Sequence, residues 1–199
     1  MFYLKNKVLV LCFIVFMSGC ETVPTTGQLP PESAAIPDVD ENNFERAIWS
    51  AQSGDLDQAI VLLNDITQKN PDLAIAYRHL GVLHIRQNDF SAAEQALMKS
   101  VKLYGHDPIA YNHLGIAKRG LGKFTRAREA YNKAIELKPD YADAILNLGI
   151  LYDLYLHQLD RALIYYTQFL SVVAPKDKQA LLVEKWKIDI KNRQKRVNN

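Results

Sequence analysis

The feature that most constrains this chain is a glycine that returns at a fixed interval: Gly81, Gly115 and Gly149 are evenly spaced, with a period of roughly 34 residues. Each opens a similar stretch, GVLHIRQNDFSAAEQAL from Gly81, GIAKRGLGKFTRAREAY from Gly115 and GILYDLYLHQLDRALIYY from Gly149. A period of roughly 20–50 residues marks a chain built by stacking one small unit on copies of itself, each covering the open face of the next. Large apolar residues recur three and four apart inside the units, which is helical rather than strand periodicity.

Tyr77, Leu80 and Gly81 of the second unit correspond to Tyr111, Leu114 and Gly115 of the third and to Ile145, Leu148 and Gly149 of the fourth. Apolar residues three apart fill one face of a first helix, and the glycine lets a neighbouring helix approach closely. A second helix contributes Ala93, Leu97 and Ser100; then Ala127, Tyr131 and Ala134; then Ala162, Tyr166 and Phe169, with small and large residues alternating as interlocking requires. Position by position, these residues resemble the tetratricopeptide repeat (TPR).

The resemblance implies an all-α superhelix of antiparallel helix pairs, with about four repeats at about 40–73, 74–107, 108–141 and 142–175 in a domain spanning 42–175. The first unit is a degenerate terminal repeat: Ala47 takes the glycine position, Gly54 and Leu56 mark the turn, and Ala59, Leu63, Ile66 and Pro71 follow in register, but Asn43 replaces a large apolar residue. The fourth carries one extra residue before Ala162 and lacks a glycine near Leu156, which leaves the angle between its helices open.

After Pro175 the sequence places Leu182, Val183, Trp186 and Ile190 at helical spacing, so residues 176–199 are expected to form a capping helix and tail on the last repeat. This segment holds eight basic and three acidic side chains. Such a tail suits anionic lipid or an acidic partner, and a solvated polar face with cations at a helix C-terminus accounts for it equally well.

The N-terminus has a different logic. Lys5 and Lys7 precede ten unbroken apolar residues, Val8 to Met17, the layout of a secretory signal and well short of the roughly 20 residues a membrane-spanning helix needs. Met17-Ser18-Gly19-Cys20 resembles the lipobox of bacterial lipoproteins, with Met17 where Leu is usual. The resemblance implies removal of residues 1–19 and acylation of Cys20, palmitate included; several acyl chains make a stable anchor where one is marginal. Because Cys12 lies in the removed segment, Cys20 is the only mature cysteine and no internal disulfide forms. Glu21, rather than Asp, implies by the same resemblance the outer membrane, with the protein facing the periplasm. Residues 20–41 then form a linker rich in Pro, Thr, Ser and acids, with six acidic and no basic residues between Glu21 and Glu45. It fits a stalk repelled by anionic lipid, and plain disorder kept for solubility fits equally.

No catalytic or metal-binding constellation emerges. The five histidines, His79, His84, His106, His113 and His157, show no HxxxH spacing, and His84 reads as a satisfied packing residue. Gly120-Leu121-Gly122-Lys123 lacks the full phosphate-loop pattern and reads as the turn between paired helices. The chain is therefore expected to be non-enzymatic, without metal or cofactor, and its near-neutral mature charge disfavours nucleic acid.

What remains is the concave face of the superhelix. The repeat resemblance implies that Arg78, His79, Val82 and Arg86 from the second unit, Asn112, His113, Ile116 and Arg119 from the third, and Leu146, Asn147, Ile150 and Asp153 from the fourth point inward. Amides can bond an extended backbone, arginines can meet carboxylates, and the aliphatic residues give apolar contact, so the groove suits a peptide or protein partner. The alternative is that these residues are merely solvated.

The expected role is a membrane-anchored scaffold in cell-envelope assembly, since repeat lipoproteins of this kind include pilotins for pili and secretins and adaptors for peptidoglycan enzymes. The alternative is an accessory of an energised outer-membrane transport system of the TonB and ExbB kind, which the run LNLGILYDLYL and the Val183 to Trp186 segment resemble. Oligomeric state is open.

Overall fold

The computed structural model describes residues 41–175 and 177–197. The expected signal segment, Cys20 and the expected linker up to residue 40 lie outside them. Among the described residues there are nine α-helices and no strand: α1 (Glu41–Ser53), α2 (Leu56–Lys69), α3 (Ala74–Arg86), α4 (Phe90–Leu103), α5 (Pro108–Gly120), α6 (Phe124–Leu137), α7 (Ala142–Ile150), α8 (Leu159–Val172) and α9 (Lys178–Val197). None is long and apolar enough to cross a membrane.

The helices pair antiparallel as α1/α2, α3/α4, α5/α6 and α7/α8, and each second helix also packs on the first helix of the next pair. The first helices α3, α5 and α7 lie side by side and build the inner face. The fold is thus an all-α TPR superhelix, with its core distributed along the stack rather than gathered at one centre.

The repeating glycines explain the tight pairing. A Cβ at Gly81 would strike Leu97, at Gly115 the ring of Tyr131, and at Gly149 the ring of Tyr166. Leu97, Tyr131 and Tyr166 are fully buried in the space the glycines leave. In the first pair Ala47 stands at the glycine position and Leu63 at that of Leu97, and both are buried in one core cluster. The second-helix residues Ala59, Leu63, Ile66, Ala93, Ser100, Ala127, Ala134, Ala162 and Phe169 are buried as the pattern requires.

The turn inside each pair needs one residue in the left-handed region. Gly54 and Gly122 supply it at φ 93° and 72°, Asn88 at 60° and His157 at 52°. The extra residue of the fourth unit is absorbed one step earlier, where Leu151–Tyr155 widens into a single π-helical turn that continues α7. A π-turn accommodates one inserted residue while the flanking helix keeps its direction, so Gly149 still meets Tyr166 as Gly115 meets Tyr131.

Helix α9 packs on α8 as the first helix of a fifth pair would. Ala180, Val183 and Ile190 are buried, and the Trp186 ring lies 5.6 Å from Tyr166. Leu182, expected among the capping residues, remains 45% exposed and instead turns towards the concave side.

Candidate functional site: a groove closed by the last helix

The third and fourth pairs and α9 enclose a cavity of about 340 Å³ on the concave face. Ile116 from α5 and Leu146 and Ile150 from α7 form one wall; Leu182, Val183 and Trp186 from α9 form the other. Asn112, His113, Asp143, Asn147 and Gln179 supply its polar groups. The groove is therefore apolar in body with polar groups at defined points, the arrangement that small binding sites share.

Two of those polar groups, Asn112 and Asn147, are held by each other. Asn147 donates from Nδ2 to Asn112 Oδ1 at 3.1 Å, and Arg119 Nη1 lies 3.5 Å from Asn147 Oδ1. Arg119 also sits over the Tyr155 ring, 5.7 Å from its centroid. Asn112 is 3% exposed and bonds the Tyr141 hydroxyl, whose pKa burial raises to about 12. The two asparagines, expected to meet a partner's backbone, are thus already engaged, and their immediate work is to lock α5 to α7.

The two groove histidines stay neutral. His79 is lowered to about 4, first by burial, then by the Arg78 guanidinium and by His113; it meets Phe44 edge to face at 5.4 Å. His113 is lowered chiefly by burial, and its Nδ1 lies 2.8 Å from the Ile109 carbonyl oxygen. A carbonyl accepts, so Nδ1 carries the hydrogen and Nε2 of this neutral, cavity-lining ring is an acceptor.

The other expected groove residues divide. Arg78 forms an ion pair with Asp107 at 3.2 Å, while Val82 is half-buried beside it on α3. Arg86 stands one position out of register with Arg119, is exposed on the arc of α3 between Val82 and His79, and donates to the Ala51 carbonyl at 2.8 Å. Asp153 is corrected. It is 4% exposed, pairs with Arg193 Nη2 at 2.5 Å and accepts from the Tyr166 hydroxyl at 3.2 Å. A carboxylate so buried is compensated within the fold and is not offered to a partner.

His84 also departs from expectation, since its Nδ1 is buried without a protein hydrogen-bond partner. His106 packs edge-on to Tyr104 at 6.2 Å. Gly120 to Lys123 form the α5–α6 turn. Asp143, Gln179, Leu182 and Trp186 join the site unannounced by the repeat pattern. For Trp186 the signal is present, in its helical spacing with Leu182, but the spacing alone gives a packing face and not which neighbour it packs against.

A family model described as tetratricopeptide repeat matches residues 50–114, and one described as TPR repeat matches residues 117–153. The chain carries tetratricopeptide repeats. Among solved structures, these repeats resemble MamA from Desulfovibrio magneticus RS-1, from residue 41 to its end, at TM-score 0.64 and 22% identity over 69% of this chain and 77% of that one. A crystal structure of MamA protein matches at TM-score 0.64 and 23% identity, covering 78% of this chain and 87% of that one. The first TPR of Spaghetti (RPAP3), bound to the HSP90 peptide SRMEEVD, matches at TM-score 0.56 and 22% identity over 57% of this chain and 90% of that one. These are likenesses of fold. No curated protein matches the chain significantly.

Proposed function

We propose that this TPR protein is a non-enzymatic scaffold, anchored through acylated Cys20 to the periplasmic side of the outer membrane, that binds an extended segment of a cell-envelope assembly protein in its concave groove. The observation that carries this reading is the cavity of about 340 Å³, whose apolar walls Ile116, Leu146, Ile150 and Trp186 are set beside the acceptor edge of neutral His113. An apolar side chain of the partner would fill the cavity while a backbone N–H donates to His113 Nε2. The peptide bound by the Spaghetti domain supports peptide binding by repeats of this fold.

The anchor and its location rest on the lipobox resemblance and on Glu21. The polar ladder from Arg119 to Asn112 supports the reading indirectly, because a groove whose walls are fixed in advance loses less entropy on binding.

A photoreactive residue at Ile116, in cells that also carry a Cys20→Ser control, tests the proposal. A discrete envelope-protein adduct that disappears with Ile150→Asp, and changes compartment with Cys20→Ser, supports it. Adducts indifferent to Ile150→Asp would remove the groove from the account, and unchanged membrane fractionation of Cys20→Ser would remove the anchor.

A further inference from the structure

While the inner face of α9 closes the groove, its outer face carries a separate surface. Leu181, Lys185, Ile188, Asn192 and Lys195 follow one another at alternating intervals of four and three residues and so form a single stripe along the helix. The stripe is opposite the buried Val183 and Ile190. Leu181 is 56% and Ile188 59% exposed, two large aliphatic side chains that remain more than half open to solvent. Around them Lys178, Lys185, Lys191, Lys195 and Arg196 are exposed, and among the described residues none has an ion-pair partner, whereas Lys187 and Arg193 on the same helix do.

The charge belongs to this end alone. Residues 41–175 carry 15 acidic and 14 basic side chains, against three acidic and eight basic in residues 176–199. A solvated face needs neither the two aliphatic residues nor this one-sided field. A second copy is a poor occupant, because a two-fold pairing of α9 would set the same five cations against one another. An anionic lipid surface satisfies both features: its phosphates take the lysines, and the aliphatic pair enters the boundary between headgroups and acyl chains.

We propose that the outer face of α9 is a lipid-docking surface, which lays the C-terminal end of the superhelix on an anionic membrane with the groove wall directly behind it. The two aliphatic side chains are separated by two helical turns, and Lys185 lies between them, so contact is made by a side of the helix lying parallel to the surface. Long lysine stems let the ammonium groups reach the phosphates while Leu181 and Ile188 sit deeper.

The test uses the chain from residue 20 onward with Cys20→Ser, which keeps every described residue and removes any acyl contribution. It is sedimented with vesicles of phosphatidylcholine containing phosphatidylglycerol, or with phosphatidylcholine alone. Binding is expected only to the anionic vesicles and should weaken as salt is raised. Lys185→Gln with Lys195→Gln should weaken it on the order of 30-fold, from about 1 kcal/mol per cation at an anionic surface. Leu181→Ser with Ile188→Ser should weaken it further, and the thermal midpoints of both exposed-residue variants should match the parent. Equal binding to both vesicles, binding unaffected by the lysine changes, or no vesicle binding alongside salt-sensitive binding to polyglutamate would each overturn the proposal, the last in favour of an acidic protein partner.

Discussion

The third and fourth helix pairs are built on the same residues and end differently. The stretch from Gly149 to Ala162 is one residue longer than its counterpart from Gly115 to Ala127. Arg119 and Asp153 occupy equivalent positions in the two pairs, yet the first stays at the groove beside Tyr155 and the second is buried beneath α9. The added residue widens one turn into a π-helix at Leu151–Tyr155, and Asp153 lies in its middle. A regular pair passes the groove on to its neighbour; the irregular one ends it by binding the helix that forms its last wall. π-turns at functional positions are a recurrent device, and here the turn carries the single buried carboxylate, among the described residues, that α9 answers with Arg193.

The largest separation between the two pairs should come from replacing those equivalent residues. Asp153→Ala is expected to destabilise the protein by about 3 kcal/mol, since it strips the buried Tyr166 hydroxyl of its acceptor and leaves the partly exposed Arg193 only Asp189, while Arg119→Ala, which loses a long bond to Asn147 and the Tyr155 ring, should cost less than about 1 kcal/mol. Urea denaturation read by circular dichroism measures both, and equal costs would dissolve the distinction.

Acid provides the next separation. His79 and His113 occupy the position that Asn147 takes in the fourth pair. His79 has a folded pKa of about 4 against 6.5 unfolded, so the unfolded chain takes the proton first. Its contribution is fully present above pH 6.5 and is lost as the pH falls from 6.5 towards 4, to about 3 kcal/mol in all. His113 is shifted in the same direction. Hydrogen-exchange protection factors, corrected for the intrinsic slowing of exchange in acid, should therefore fall in α3 and α5 before α7 as the pH drops through this window, and His79→Asn should flatten the dependence. A uniform fall in protection along the stack would contradict it.

Gly115→Val and Gly149→Val should each cost about 2 kcal/mol, because Tyr131 and Tyr166 fill the space that a side chain would need. A much smaller cost at Gly149 would mean that the π-turn had loosened the crossing it is described as preserving. The smallest effect is expected at the turns: His157→Gly should raise stability by about 0.5 kcal/mol, as glycine holds the left-handed conformation without strain, and Gly122→Ala should lower it by about 1 kcal/mol. Thermal melting of the two variants beside the parent reads both signs.

Sequence carries much of this arrangement because the packing is periodic. Gly81, Gly115 and Gly149 name the close contacts, and Leu97, Tyr131 and Tyr166 follow them at a nearly constant offset, one step longer in the last pair. The extra residue before Ala162 is visible too, but nothing local says whether a loop or a helix absorbs it. Asp153 looks like a groove residue because its repeat equivalent, Arg119, is one; its pairing with Arg193 joins positions 40 apart and lies outside the period altogether. Arg86 stands one step along the helix from the Arg119 register, still on the arc that Val82 and His79 span, and its bond to the Ala51 carbonyl ties it to α1 in a way no spacing announces. The second wall of the cavity is hidden for the same reason as Arg193. Trp186 and Leu182 can be placed on a helix face, whereas what that face meets depends on how α9 folds back.

On this account helix α9 has two working faces, and photoreactive residues placed at Leu182 and, separately, at Ile188 test this most directly in intact cells. Leu182 lines the cavity and Ile188 lies on the outer stripe. The expected result is a protein adduct from position 182 and a lipid adduct from position 188. The same adduct from both positions, or protein from 188 and lipid from 182, would contradict the account.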